Sequence, residues 1–196
     1  MNKTDRTLIP RLLLASRSPR RKDLLSMTGL PFRVVASVAD ETIERTPEAT
    51  VLKNALVKAR GAVYKPSDFV LGCDTIVYLD RRILGKPRDE QEAERFLGLL
   101  SGRTHTVFSG VALLNRGKAY TGCERTDVVF DRLTRREIRQ YVRLCRPLDK
   151  AGAYGIQEWS SFFVRRLKGD YFNVVGLPLN LLFRLLKRAG YPLDRM

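Results

Sequence analysis

Leu12-Leu13-Leu14-Ala15-Ser16-Arg17-Ser18-Pro19-Arg20-Arg21 is the stretch from which the fold is read outward. Four short apolar residues make a buried strand, and the Ser-x-Ser-Pro that follows makes the turn that ends it. Ser18 is placed as a helix N-cap and Pro19 as the first helical residue, its ring already holding φ near the helical value. Leu24, Leu25 and Thr28 continue at helical spacing until Gly29 stops the helix. A strand running into a helix presents free backbone N–H groups and the positive end of the helix dipole. Two hydroxyls with Arg17, Arg20 and Arg21 around that end make an anion site, most simply for a phosphate. Arginines are unfavourable at the positive end of a helix, so the reading requires something to offset them. Without an anion, the segment is an ordinary capped helix with a solvated basic first turn.

Downstream, Phe32–Val35 is a second short strand, and Asp40-Glu41 stands in a polar loop. Thr46-Pro47 starts a helix whose apolar face is Val51, Leu52, Ala55, Leu56, Ala59, Ala62 and Val63, with Lys58 at its edge and Lys65-Pro66 at its end. Phe69–Val77 is apolar on both sides and reads as a central strand. Gly85-Lys86-Pro87 is a turn, and Asp89-x-x-Glu92 is a capping box before Ala93, Phe96, Leu97 and Leu100. From His105 to Phe130 the pattern is β, broken near Asn115-Arg116-Gly117-Lys118, which predicts a long antiparallel hairpin. Thr134-x-x-Glu137 caps a helix that buries Ile138, Tyr141, Val142 and Cys145 and carries Arg135, Arg139, Arg143 and Arg146 on another face. Residues 149–158 are loop-like, Phe162–Leu167 is a strand and Leu177–Ala189 a closing helix. The hairpin does not belong to a purely parallel sheet, so the fold class is α/β with a mixed, twisted sheet flanked by helices.

The chain has 196 residues, enough for one domain or two small lobes around a cleft, and no repeat or linker divides it. We read 1–196 as a single domain. Hydrophobic content of 44% and charged content of 29% describe a soluble protein, and no apolar run is long enough to span a bilayer. Residues 1–7 are polar, without the apolar segment of a signal peptide, and the expected location is the cytoplasm. Three widely spaced cysteines and one histidine argue against a zinc site and suit free, buried thiols in a reducing compartment. A formal charge of +15 implies anionic partners: nucleotides, nucleic acid or an acidic surface.

Among residues able to do chemistry, Asp74 stands out. A carboxylate in an apolar central strand costs several kcal/mol unless it is paired or metal-bound, and strand ends are where α/β sheets carry their sites. The alternative is an Asp bonding a neighbouring turn. Glu41 is weaker, a solvated loop carboxylate being the commoner fate of such a residue, whereas Lys58 reads equally as a snorkelling lysine and Lys86 equally as a plain turn residue. His105, beginning a strand, reads as structural. No spacing matches a P-loop, a dinucleotide fingerprint or a Ser-His-Asp order.

Taken together the segments say more. Ala15–Arg21, Asp40-Glu41, Lys58-Ala59, Gly72-Cys73-Asp74-Thr75-Ile76-Val77, Leu84-Gly85-Lys86-Pro87, Leu100–His105, Asp149-Lys150-Ala151-Gly152-Ala153-Tyr154-Gly155-Ile156-Gln157 and Gly169–Leu179 occur in that order. This series closely resembles the Maf family of septum-formation-inhibitor-like nucleoside triphosphate pyrophosphatases, from Leu12 to the last helix. The 149–157 form is similar to the branch acting on dTTP and UTP, rather than the one acting on 7-methyl-GTP. The resemblance implies an elongated mixed α/β sheet split into two lobes by a deep cleft. It implies Asp74 as general base, and Ser16, Arg20, Arg21, Glu41, Lys58 and Lys86 lining the phosphate and metal site. A divalent cation, Mg²⁺ or Mn²⁺, would be held by Asp74 and Glu41, and Arg20, Thr75 and Gln157 would tune substrate choice. The implied partner is a nucleoside triphosphate, with CTP and modified pyrimidine nucleotides as further candidates, and homodimerisation stays open. Relative to the family pattern, Cys73 replaces Ala, Ser109 replaces Thr, and Glu158 stands where Gly is usual. Glu158 is expected to face solvent or pair with an arginine. The rival reading is a basic nucleic-acid-binding protein on a Maf-like scaffold, motivated by the net charge and the Arg135–Arg146 stripe. The basic residues are scattered and not interleaved with aromatics, which speaks against it.

Overall fold

In the computed structural model, which describes residues 10–193, Leu12–Ala15 is the buried strand β1 and Pro19–Ser26 the helix α1. β1 lies between β2 (Phe32–Val34) and β3 (Phe69–Leu79), parallel to both. β3 then turns antiparallel into the short β4 (Arg82–Leu84) and pairs along its other edge with β5 (Thr104–Asn115). β6 (Lys118–Phe130) and β7 (Val164–Lys168) complete a seven-stranded mixed sheet of order β2-β1-β3-β5-β6-β7, with β4 off that path. The sequence reading of an α/β fold with a mixed sheet holds, and β3 is central in it.

Helices cover both faces. α2 (Pro47–Arg60) lies alone on one, over Val70, Ala112 and Leu114. α1, α3 (Glu90–Leu100), α4 (Arg135–Cys145) and α6 (Leu179–Arg188) pack on the other, around Leu71, Leu97, Val111, Leu113, Tyr141 and Leu182. α5 (Tyr171–Val175) is one short turn that the sequence pattern did not announce. β3 therefore serves two cores: its odd-numbered residues face the larger one and its even-numbered residues face α2.

Several boundaries differ from the reading, each for a local reason. α2 stops at Arg60, not at Lys65, because Gly61 runs against the backbone of Val38; a Cβ there would lie 1.9 Å from the Val38 carbonyl oxygen. The next residue, Ala62, forms a β-bridge with Ser37, and Val63 is 91% exposed rather than part of an apolar face. Strand β7 begins at Val164 because Trp159–Phe163 coil into a 3₁₀ turn, and the final helix begins at Leu179. At α4 the Thr134–Glu137 capping box forms in full. At α3 only Asp89 caps, since Glu92 turns to the backbone and guanidinium of Arg88. Arg146 caps α4 in the left-handed region, off the Arg135, Arg139 and Arg143 face. All three cysteines are free, but only Cys73 is fully buried, so the expectation of buried thiols holds for one. Among the described residues no helix is long and apolar enough to cross a membrane; the 1–7 segment read for a leader lies outside them.

Candidate active site

The sheet's pairing leaves an opening in its middle. β1 covers one edge of β3 over Phe69–Gly72, and β4 covers the same edge only from Val77 onward. Between them, Cys73–Ile76 is laddered to β5 alone. β1 ends here and α1 begins, at the carboxyl end of a parallel strand where α/β sheets form ligand crevices. A cavity of about 810 Å³ opens at this point. Its lining includes Ser16, Arg20, Arg21, Glu41, Lys58, Asp74, Thr75, Lys86 and Gln157, every residue singled out for chemistry from the sequence. The lining carries six cations (Arg17, Arg20, Arg21, Lys58, Lys86, Lys150) against three carboxylates (Glu41, Asp74, Asp149), a surplus suited to a polyphosphate.

Asp74 projects from β3 toward α2 and is 4% exposed. Its Oδ1 accepts from Lys58 Nζ at 2.6 Å, and its Oδ2 accepts from Asn54 Nδ2 at 3.1 Å. Lys58 Nζ also lies 2.8 Å from Glu41 Oε1, so one ammonium sits between the two carboxylates. Burial of Asp74 is thus offset by a charge and a hydrogen bond. The helix comes this close because Gly72 and Gly110 have no side chains: a Cβ at either would lie 2.2 Å from a carbonyl oxygen of α2. Asn54 was not foreseen, yet Thr50, Asn54 and Lys58 form a polar i, i+4, i+8 stripe along an otherwise apolar helix. That stripe was the available signal.

On the opposite face of β3, Thr75 meets α1. Arg21 Nε donates to the Gly176 carbonyl at 2.9 Å, Nη1 to Ser16 Oγ at 3.2 Å and Nη2 to Thr75 Oγ1 at 3.1 Å. Three of five guanidinium donors are spent on the protein, leaving two. Ser18, read as a side-chain N-cap, makes no capping bond; its N–H donates instead to Ser16 Oγ at 3.3 Å. The first turn of α1 thus keeps its amides free of a capping side chain. The partners needed to offset two arginines there are present: these oxygens for Arg21, and for Arg20 the Asp149 carboxylate at 2.7 Å.

The 149–158 segment forms the remaining wall, with Gln157 exposed at its tip. Asp149 and the buried Lys150 belong to this wall, and the sequence reading gave neither a role. Burial raises the Asp149 pKa, but hydrogen bonds from Lys150 and Arg20 outweigh it and hold the carboxyl below its usual range. Glu158 pairs with Lys150 at 3.2 Å, a lysine where an arginine was expected. Lys86 is exposed in the turn after β4, which is tied to this wall by Gly152 N–H donating to Gly85 O at 3.0 Å. His105 lies outside the lining, buried, its Nε2 2.7 Å from Tyr154 Oη. The Arg135, Arg139 and Arg143 face of α4 also lies outside it.

A mixed sheet with a cation-rich pocket at the end of its first parallel strand defines an anion-binding α/β protein. The particular family follows from comparison: the chain belongs to the Maf family, whose Maf-like protein model matches residues 11–189. A protein of Bacillus thuringiensis subsp. konkukian (strain 97-27) named dTTP/UTP pyrophosphatase is 50% identical over 181 residues, covering 91% of this chain and 95% of its own. Proteins of the same name from Bacillus cereus (strain AH820) and Bacillus anthracis (strain CDC 684 / NRRL 3495) are 50% and 49% identical over the same coverage.

Proposed function

We propose that this protein is a nucleoside triphosphate pyrophosphatase that hydrolyses dTTP and UTP to the nucleoside monophosphate and pyrophosphate. The observation that carries the reading is that one pocket collects the phosphate, metal and base residues implied by the family resemblance. The half-identical relatives named for this activity support it. The triphosphate lies against the first turn of α1, with Arg20, Arg21, Lys58 and Lys86 along it. Asp74 takes a proton from the water that attacks the α-phosphorus, and the bond from that phosphorus to the α,β-bridging oxygen breaks, releasing pyrophosphate. Asn54 holds the second oxygen of Asp74, which aims the first. A phosphate drawn to Lys58 weakens its hold on Asp74 and leaves that carboxylate free to accept the proton. Lys86 stands where charge develops on leaving pyrophosphate.

Asp74 and Glu41 already share a cation in the Lys58 ammonium, and two carboxylates with phosphate oxygens are a donor set that Mg²⁺ or Mn²⁺ accepts. Among the described residues no group of three or more metal-ligating side chains occurs, so the substrate's phosphates would complete the shell. Such an ion would supply charge neutralisation at the phosphates and a more acidic water.

The test is a panel of common and modified triphosphates with Mg²⁺, Mn²⁺ or EDTA, reading pyrophosphate and monophosphate. We expect dTTP and UTP to lead and EDTA to stop turnover. Preference for a purine or for 7-methyl-GTP overturns the pyrimidine reading, and no hydrolysis of any nucleotide overturns the enzyme.

A further inference from the structure

Lys150 is a pocket-wall cation that does not behave as a free phosphate ligand. Its side chain is only 8% exposed, and Nζ is held by Asp149 Oδ1 at 2.7 Å and Glu158 Oε1 at 3.2 Å. These two carboxylates stand at opposite ends of the segment that carries Gln157. The lysine stem lies along the loop between them: a Cβ on Gly155 would fall 3.0 Å from Lys150 Cε and 3.4 Å from the Glu158 carboxyl carbon. Backbone bonds tighten the same loop, with Ala153 N–H donating to Lys150 O at 3.1 Å and Glu158 N–H to Gly155 O at 2.9 Å. Ser160 Oγ adds a second bond to Gly155 O at 2.7 Å. Gln157 itself is exposed, between the buried Ile156 and the anchored Glu158. Beyond Asp149 the chain of alternating charge continues to Arg20 at the first turn of α1.

We propose that Lys150 is a positioning residue that sets the base selectivity of the pocket, by pinning Glu158 and so fixing the backbone that presents Gln157. This rests on the reading of the pocket as a pyrimidine nucleotide site. An amide discriminates between bases only when its donor and acceptor are held in register with the base edge; a loose loop lets it re-aim or lets water substitute. Backbone bonds already hold Glu158, its N–H to Gly155 O and Ser161 N–H to its own carbonyl at 2.8 Å, and the Lys150–Glu158 pair adds the side-chain tie from this end of the loop to the pocket wall.

The informative variant is Glu158→Gln. Asp149 still neutralises Lys150, so no buried charge is stranded. The KM for UTP and dTTP should rise about 2- to 5-fold, the range for losing a partly exposed charged pair, with a smaller change in kcat. The KM for ATP should stay level, so the UTP-to-ATP ratio of kcat/KM contracts by the same factor. Gly155→Ala pushes on the same pair from inside the loop and should contract the ratio too. Calorimetric binding of UMP against AMP reads the selectivity without chemistry. Unchanged ratios in both variants, folded by circular dichroism, overturn the proposal, as does an equal loss on UTP and ATP. A wild-type protein that hydrolyses no triphosphate overturns the functional reading instead.

Discussion

Gly110→Ala tests how the Asp74 cluster is assembled. Gly110 is the β5 residue directly opposite Asp74 and faces α2. A Cβ there lies 2.2 Å from the Val51 carbonyl oxygen and 2.4 Å from its carbon, where ordinary contact begins at 3.4 Å. Both atoms are helix backbone and cannot turn aside, so α2 must retreat by about 1.2 Å. Lys58, with a long stem, can follow Asp74. Asn54 has two side-chain torsions, and its 3.1 Å bond to Asp74 would stretch past 4 Å, beyond hydrogen bonding. Overpacking costs about 1–3 kcal/mol and the lost buried bond about 1 kcal/mol more. For a chain of this size that lowers Tm by roughly 5–15 °C. With Asp74, the proposed general base, no longer aimed, kcat/KM should fall by about 10²-fold. Pyrophosphate release beside a thermal melt measures both. The matched control is Gly98→Ala, exposed in the middle of α3 with nothing within 4 Å of its Cβ. It should gain about 1 kcal/mol and keep wild-type kinetics. Near-wild-type kcat/KM in a folded Gly110→Ala protein would refute the account of the site as held by glycine-mediated contact.

Asp74→Asn keeps the shape and the Asn54 side of the cluster but cannot accept the proton; kcat should drop about 10²–10⁴-fold while the circular dichroism spectrum is unchanged. Turnover close to wild type would remove Asp74 as base. If, as proposed, the Lys86 charge meets both bound substrate and leaving pyrophosphate, Lys86→Ala should raise KM and lower kcat together; wild-type kinetics would reduce it to a turn residue. Burial pushes the His105 pKa down to about 4, against the opposing pull of Asp127, so the native state keeps this ring neutral. Between its ordinary value of about 6.5 and 4 the unfolded chain binds the extra proton. This contribution is therefore present in full above pH 6.5 and lost as pH falls toward 4, by on the order of 3 kcal/mol. Urea midpoints at pH 7 and pH 4.5 should converge in His105→Phe relative to wild type; an unchanged difference would assign the acid sensitivity to other groups.

The parts of the fold legible in the sequence are those whose local chemistry agrees with their tertiary role. The Leu12–Pro19 strand-to-helix turn and the two-sided apolar β3 are of this kind, as is the Arg116-Gly117 hairpin, whose Gly117 has φ near +74°. The β3–β4 hairpin was not legible. It turns through Asp80 and Arg81, both at positive φ, with no glycine or asparagine to announce it. The end of α2 was hidden likewise, because the helix stops where Gly61 meets Val38, a contact between segments distant in sequence. The site divides along the same line. Residues in recognisable motifs were found. Asn54 and the Lys150–Glu158 pair depend on which backbones come together, and only the assembled sheet makes them neighbours.

The open stretch of β3 accounts for how the two halves of the pocket can act on one ligand. Consecutive residues of a strand point to opposite faces, so Asp74 and Thr75 would ordinarily serve different sides of a closed sheet. Because no strand pairs with this edge between Gly72 and Val77 among the described residues, both reach the same cavity. The α2 face brings the carboxylates and Lys58; the α1 face brings the arginines. The hydroxyls on the second face are ordered in sequence. Ser109 Oγ has one proton and donates it to the Asn173 carbonyl at 3.0 Å, so toward Thr75, 2.9 Å away, it can only accept. Thr75 therefore spends its own proton inside the protein, on Ser109 or on the Gly176 carbonyl, while its oxygen accepts from Arg21. It has no donor left for a nucleotide. If Thr75 tunes substrate choice as the family resemblance implies, it would do so through the orientation of Arg21, which keeps two N–H groups unspent on the protein.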